Sequence, residues 1–273
     1  MSGPPELDHT RRAFVRGGLV AAAGLATGGY IVGSNTLRVE HIVPRPWGLR
    51  RPLRVGLLTD LHAPNFRFFP ETLEGEVRRL KLDVLAVVGD IVDTPGEEGQ
   101  AQRLLAGLEA TTLKVATLGN WEHWGRVDLA ALRRSYEAAG FTLLVNDRLN
   151  LSWEGAEIPI IGLDDMLGAS PRYGLVTGRR DDPAVVLSHC PATAEEIVAR
   201  RSDAALILSG HTHGGQVAPF GLAPWTPPGS GGYLRGLYRP GKRADLVVSA
   251  GLGNSKIPFR VGAAPTLVVV EQR

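Results

Sequence analysis

Five apolar runs, each closing on a polar residue able to hold a cation, constrain this 273-residue chain more than any other feature. LRVGLLTD (53–60) leads into Leu61-His62, DVLAVVGD (83–90) ends in Gly89-Asp90, and LKVATLGN (113–120) ends in Gly119-Asn120. AVVLSH (184–189) ends in His189, and AALILSGH (204–211) continues through Thr212 to His213. Continuous apolar runs of this length read as strands buried on both faces, because a half-exposed strand would alternate. Helical patterns over 71–81, 97–110, 127–139 and 191–200 separate them, the first with an acidic start and a basic end. Strand alternating with helix predicts β-α units and a largely parallel sheet.

The rhythm changes after residue 140. Short, hairpin-like strands are expected near 142–145, 149–153 and 158–163, and further strands at 245–250 and 265–271. The expected fold is α/β, with two mixed sheets packed face to face and helices outside. With 44% hydrophobic residues the chain has ample material for that core. The Gly/Pro-rich stretch 219–232 is read as a mobile surface loop.

Three segments are expected along the chain. Residues 1–34 contain Arg11-Arg12 followed by the uncharged, glycine-rich GGLVAAAGLATGGYIVG (17–33), the layout of a twin-arginine export signal. No clean small-residue cleavage site follows, so a membrane anchor through 17–33 is the alternative to a cleaved leader. Residues 35–52, with Pro44, Pro46 and Pro52, read as an extended linker, and 53–273 as the folded domain. The expected location is the periplasm or the outer face of the cytoplasmic membrane, reached with the twin-arginine machinery as partner. A net charge of only +2 gives no nucleic-acid-binding patch. The single cysteine, Cys190, excludes an internal disulfide and is read as structural.

In open α/β sheets ligands gather beyond the carboxyl ends of the strands. Five of the seven histidines lie at or just after such ends: His62, His123, His189, His211 and His213. Imidazoles, carboxylates and an amide oxygen, without a thiolate, suit Mn²⁺, Fe or Zn²⁺. Asp164 and Asp165 end another strand and are left out of the ligand set.

Taken together, Asp-x-His, Gly-Asp-x-x-Asp, Gly-Asn, Ser-His and Gly-His-x-His resemble the motif series of the calcineurin-like metallophosphoesterase superfamily. The resemblance covers about residues 53–270. The stretches LSHCPATAEEIVARRSDAALILSGHTHGGQV and GLGNSKIPFRVGAAPTLVVVE look like its bacterial envelope branch, whose members often carry twin-arginine signals. The resemblance implies a four-layer α/β/β/α sandwich. It also implies two divalent metal ions, with Asp60, His62 and His213 on the first, Asn120, His189 and His211 on the second, and Asp90 bridging. Such a pair activates a shared water as hydroxide for in-line attack at phosphorus. The glycines 89, 119, 210, 214 and 215 are read as leaving the backbone open around the ligands, which helps a bulky phosphate approach.

One position departs from that pattern. The family usually has a histidine after the asparagine, held by the second aspartate of Gly-Asp-x-x-Asp, which protonates the leaving group. Here the aspartate is Asp93 and the histidine is replaced by Trp121. Three readings follow: His123 supplies the proton from a non-helical turn, the substrate has a good leaving group, or the site binds metal without turnover. The expected activity is that of a phosphodiesterase or pyrophosphatase on a lipid or cell-wall phosphoester. A phosphomonoesterase and a non-catalytic scaffold are the alternatives. Trp121 and Trp124 are candidates for an apolar substrate wall, and the phenylalanines of 63–70 for contact with an acyl chain. Glu122 is read as a hydrogen-bond partner behind the ligands or a surface charge.

Overall fold

The computed structural model describes residues 36–65, 70–176, 184–200, 204–219, 222–255 and 258–273. The expected twin-arginine signal and the candidate anchor lie outside them, as do the phenylalanines at 66, 68 and 69. Among the described residues no helix is long and apolar enough to cross a membrane.

Among the described residues, twelve strands form two six-stranded sheets. The first contains β1 (Arg38–Ile42), β2 (Leu53–Leu58), β3 (Val84–Val88), β4 (Leu113–Thr117), β5 (Thr142–Leu143) and β12 (Thr266–Gln272). Its order is β1-β12-β2-β3-β4-β5, parallel throughout except where β12 meets β2. The second contains β6 (Asp147–Trp153), β7 (Ala156–Gly162), β8 (Ala184–Leu187), β9 (Ala204–Ser209), β10 (Gly236–Tyr238) and β11 (Asp245–Val248). Its order is β10-β11-β9-β8-β7-β6, with antiparallel strands at both edges of a parallel centre. This is the expected pair of mixed sheets.

Three apolar layers follow from the strand pleat. Leu53, Val55 and Leu57 of β2 join Val185 and Leu187 of β8 and Leu206 and Leu208 of β9 between the sheets. Leu58 of β2 and Leu85 and Val87 of β3 face the opposite side, where helices cover them. Those helices are α1 (Pro70–Leu80), α2 (Glu98–Ala106) and α4 (Leu129–Ala138). The outer face of the second sheet packs Val186 and Ile207 against Ala194 and Ile197 of α5 (Thr193–Ala199). The layers are therefore α/β/β/α.

Local sequence explains the helix ends. Proline opens α1, where its missing N–H costs nothing. Leu73, Val77 and Leu80 form its buried stripe. Asp128 caps α4 by accepting from the N–H groups of Ala130 and Ala131.

Two expectations are corrected. Residues 38–42, read as part of an extended linker, are extended but pair with β12 as an edge strand of the first sheet. Their polar-apolar mixture hid this, because an edge strand needs only partial burial. Residues 120–124, read as a non-helical turn, form a short helix, α3 (Asn120–Trp124), capped by Gly119.

Candidate metal centre

The sheet register brings the chemistry together. Leu58 of β2 aligns with Val87 of β3, and Val88 with Thr117 of β4, so these strands stop almost level. Leu187 of β8 likewise aligns with Leu208 of β9. Every expected ligand lies on the connection leaving one of these five strands. Asp60, His62, Asp90, His211 and His213 have φ between 43° and 71°, in the left-handed region. Non-glycine residues there cost of order 1–3 kcal/mol each and persist only when neighbours fix them. The sharp reversals aim the side chains back across the strand ends.

The seven side chains are buried, from 0% exposed at Asp60, His62 and His189 to 6% at His213. Two compact groups form: Asp60, His62 and His213, and Asp90, His189 and His211. Within each, one ligating atom per residue lies within 4.8 Å of the others. Oδ2 of Asp90 lies 3.0 Å from Nε2 of His189 and 4.0 Å from Nε2 of His62, between the groups. Nε2 of His213 is 3.3 Å from Oδ1 of Asp60 and 3.3 Å from Nε2 of His62.

The donors fit divalent cations. Buried polar atoms normally find partners, yet Oδ1 of Asn120 and Nε2 of His189 are buried without a hydrogen bond. The latter lies 3.0 Å from Oδ2 of Asp90. Both atoms belong to the expected second position. Oxygen and imidazole donors with no thiolate suit Mn²⁺, Fe or Zn²⁺, and the pair of groups suggests a dinuclear site.

A second layer of contacts holds the ligands. Asp60 accepts from the hydroxyl of Thr59 at 2.7 Å and from the N–H of His211 at 3.0 Å. His189 pairs Nδ1 with the carbonyl of Val88 at 2.9 Å, and His211 pairs Nε2 with that of Pro228 at 2.6 Å. Asp93 sets Oδ1 2.5 Å from Nδ1 of His62. It supports a ligand rather than the acid histidine the sequence suggested. Arg260, fully buried, sets Nη2 3.2 Å from Nδ1 of His213. Burial first, then the Arg260 charge, hold His213 well below the usual imidazole range. Arg260 itself was not singled out from the sequence, because no spacing pattern marks a lone arginine.

Glu122 resolves to the interior. It is 1% exposed and accepts from the N–H groups of Ile91 (2.6 Å), Gly119 (2.8 Å) and Asp90 (3.1 Å). It thus ties the β3 connection to the start of α3. Burial, reinforced by the Asp90 charge, pushes its carboxyl up to about 7.

Gly89 and Gly119 open the backbone around the ligands, as expected. A Cβ on Gly119 would lie 2.3 Å from Oδ1 of Asp90, and one on Gly89 2.5 Å from Nδ1 of His189. These residues make room for the ligands themselves.

His123, expected as a proton donor, lies on α3. Its Nε2 pairs with Oδ1 of Asp164 at 2.7 Å. Trp121 instead lines a cavity of about 520 Å³ together with Asp90, Asn120, His211 and His213. Trp124, Pro224, Trp225, Pro227 and Pro228 extend its apolar wall. The Trp121 ring meets His62 edge-on at 6.2 Å and Trp124 at 6.0 Å. Cys190 and Asp165 remain outside both groups and bond to each other at 3.1 Å.

Comparison with known proteins agrees with this geometry. Residues 53–215 match the family described as calcineurin-like phosphoesterase. An uncharacterized metallophosphoesterase of Bacillus subtilis is 31% identical, over 95% of this chain and 96% of its own length. An uncharacterized metallophosphoesterase of Campylobacter jejuni is 30% identical over 81% of the chain, which spans 59% of that protein. A Danio rerio transmembrane protein with metallophosphoesterase domain is 26% identical over 81% of the chain, which spans 53% of it.

Proposed function

Because the chain belongs to the calcineurin-like phosphoesterase family and is a hydrolase of phosphoric esters, we propose that it cleaves a phosphodiester or pyrophosphate bearing an apolar group. The observation that carries this reading is that members of both ligand groups, Asp90 and His211 of one and His213 of the other, line one cavity with Trp121.

Asp60, His62 and His213 would hold one divalent cation, Asn120, His189 and His211 the other, with Asp90 between them. Bound there, the pair would supply the charge that activates a water and neutralises the phosphoryl oxygens. The chain's part is to fix those ligands before substrate arrives, through Asp93, Glu122, Thr59 and two backbone carbonyls. Trp121 fills the place from which a histidine would protonate the leaving oxygen. Without that proton, anhydrides and activated diesters are favoured over alkyl monoesters, whose leaving alkoxide is poor. The tryptophan and proline walls offer apolar contact to an acyl chain or a sugar face.

An envelope location accords with the twin-arginine run in residues 1–34 and with the transmembrane name of the Danio rerio relative. The substrate would then be a lipid or cell-wall phosphoester. Substituting Arg11→Lys with Arg12→Lys is expected to retain the protein inside the cell; unimpaired export would refute the leader.

The central test is hydrolysis of bis-aryl and mono-aryl phosphates with Mn²⁺. The diester is expected to be cleaved faster, with activity lost in Asp90→Ala. Faster cleavage of the monoester would instead make the protein a phosphomonoesterase. No turnover by the metal-loaded, unmutated protein on either would sink the enzyme reading.

A further inference from the structure

The four histidines of the centre differ in what stands behind them. An imidazole that ligates through one nitrogen keeps its proton on the other, and a carbonyl or carboxylate normally receives that proton. His62 has Asp93 at Nδ1, His189 has the carbonyl of Val88 at Nδ1, and His211 has the carbonyl of Pro228 at Nε2. These three partners are acceptors. The partner at Nδ1 of His213 is the guanidinium of Arg260, which has five donors and no acceptor.

From this we infer that Arg260 is a positioning residue that weakens cation binding at the Asp60, His62 and His213 position. Nδ1 of His213 receives a hydrogen bond from Nη2 of Arg260, so the ring proton sits on Nε2. That is the nitrogen 3.3 Å from both Oδ1 of Asp60 and Nε2 of His62, the one aimed at the cation position. A cation binding there must displace the Nε2 proton or break the bond to Arg260. Neither demand exists at His189 or His211.

Arg260 is poorly placed to yield. It is fully buried, with Nε 3.1 Å from the carbonyl of Gly253 and Nη1 2.8 Å from that of Ala250. Nη1 also reaches the carbonyls of Ala263 at 3.2 Å and of His213 itself at 3.3 Å. Its fork therefore clamps the segment around 250–263 to the His213 turn. Asp93 acts oppositely on the same position by strengthening His62. The position is thus built from one reinforced and one opposed imidazole, which suits a cation that exchanges.

The inference rests on the metal reading of the site, and its test separates the two. In the full-length, chelator-treated protein, nitrogen–proton NMR is expected to place the His213 proton on Nε2 and those of His62 and His189 on Nδ1. A His213 proton on Nδ1 would overturn the inference. Zn²⁺ titration followed by calorimetry gives the second arm. Arg260→Gln, whose amide oxygen can accept from Nδ1, is expected to tighten the weaker binding step about tenfold or more, the scale of effects from groups behind metal ligands. Arg260→Lys, still a donor only, is expected to leave that step within about threefold. Equal shifts in both variants, or none in either, would refute the role of Arg260. If Arg260→Gln does not fold, the NMR result decides. Failure of the unmutated protein to bind any Zn²⁺ would overturn the metal reading as well.

Discussion

Oδ1 of Asp93 lies 2.5 Å from Nδ1 of His62, so the second aspartate of Gly-Asp-x-x-Asp stands behind an expected ligand. Its carboxylate fixes the His62 tautomer and leaves Nε2 free to face the centre. Asp93→Ala is expected to raise the Mn²⁺ concentration needed for half-maximal activity by roughly 10–100-fold. At saturating Mn²⁺ the turnover number should largely recover, because the carboxylate acts through His62. A metal requirement equal to that of the unmutated protein would remove Asp93 from this role.

Glu122 makes a separate prediction about stability. Its carboxylate accepts from backbone N–H groups of Gly119, Asp90 and Ile91, all in the interior. Glu122→Ala would leave those donors buried and unpaired, a cost of about 2–4 kcal/mol. The midpoint of thermal unfolding should drop by roughly 4–16 °C. A shift under about 2 °C would mean that water or neighbouring groups satisfy those donors instead.

Much of this was legible in the sequence, for reasons that differ between elements. The runs ending in Asp60, Asp90, Asn120, His189 and His211 are short continuous apolar stretches rich in valine and leucine, and their length marks them as strands buried on both faces. Their shared register then gathers the ligands. The edge strand β1 was not legible, since RVEHI alternates too weakly and its partner, β12, is more than 220 residues away. The helix α3 was obscured because Trp121-Glu122-His123-Trp124 has no buried stripe. Its start is held by Glu122, which accepts from Gly119 three residues back and from Asp90 and Ile91 of the β3 connection, and the latter two contacts appear only once the strands are placed. Arg260 was invisible for the same reason: its meaning lies in the His213 ring, 47 positions earlier.

Trp121 leads to a prediction about leaving groups. With an indole in the cavity and Asp93 committed to His62, the rate should depend steeply on leaving-group acidity across a series of phosphodiesters. Trp121→His would restore a donor beside the centre. It is expected to accelerate esters with poor alkyl leaving groups at least ~10-fold, within the 10²–10⁴-fold range of general acid catalysis. Activated aryl esters should change little. If both kinds of ester respond alike, Trp121 is not standing in the acid's place.

The last prediction concerns pH and His123. Its Nε2 lies 2.7 Å from Oδ1 of Asp164, and the two side chains are only 15% and 14% exposed. The hydrogen bond to Asp164 raises the imidazole above 6.5 against the opposing effect of burial, with Glu122 and Asp165 adding smaller contributions. A pKa raised in the folded state stabilises the protein fully below the unfolded value, near 6.5, and the benefit fades as pH rises through the folded value. Asp164→Asn keeps the shape of the turn and removes the charge. The variant should therefore be less stable than the unmutated protein by about 1–2 kcal/mol at pH 5.5, with the gap narrowing toward pH 8.5. Thermal unfolding of both proteins across that range measures it. A gap that stays constant or widens with pH would show that His123 is neutral in the folded protein and that Asp164 acts there only as a neutral acceptor.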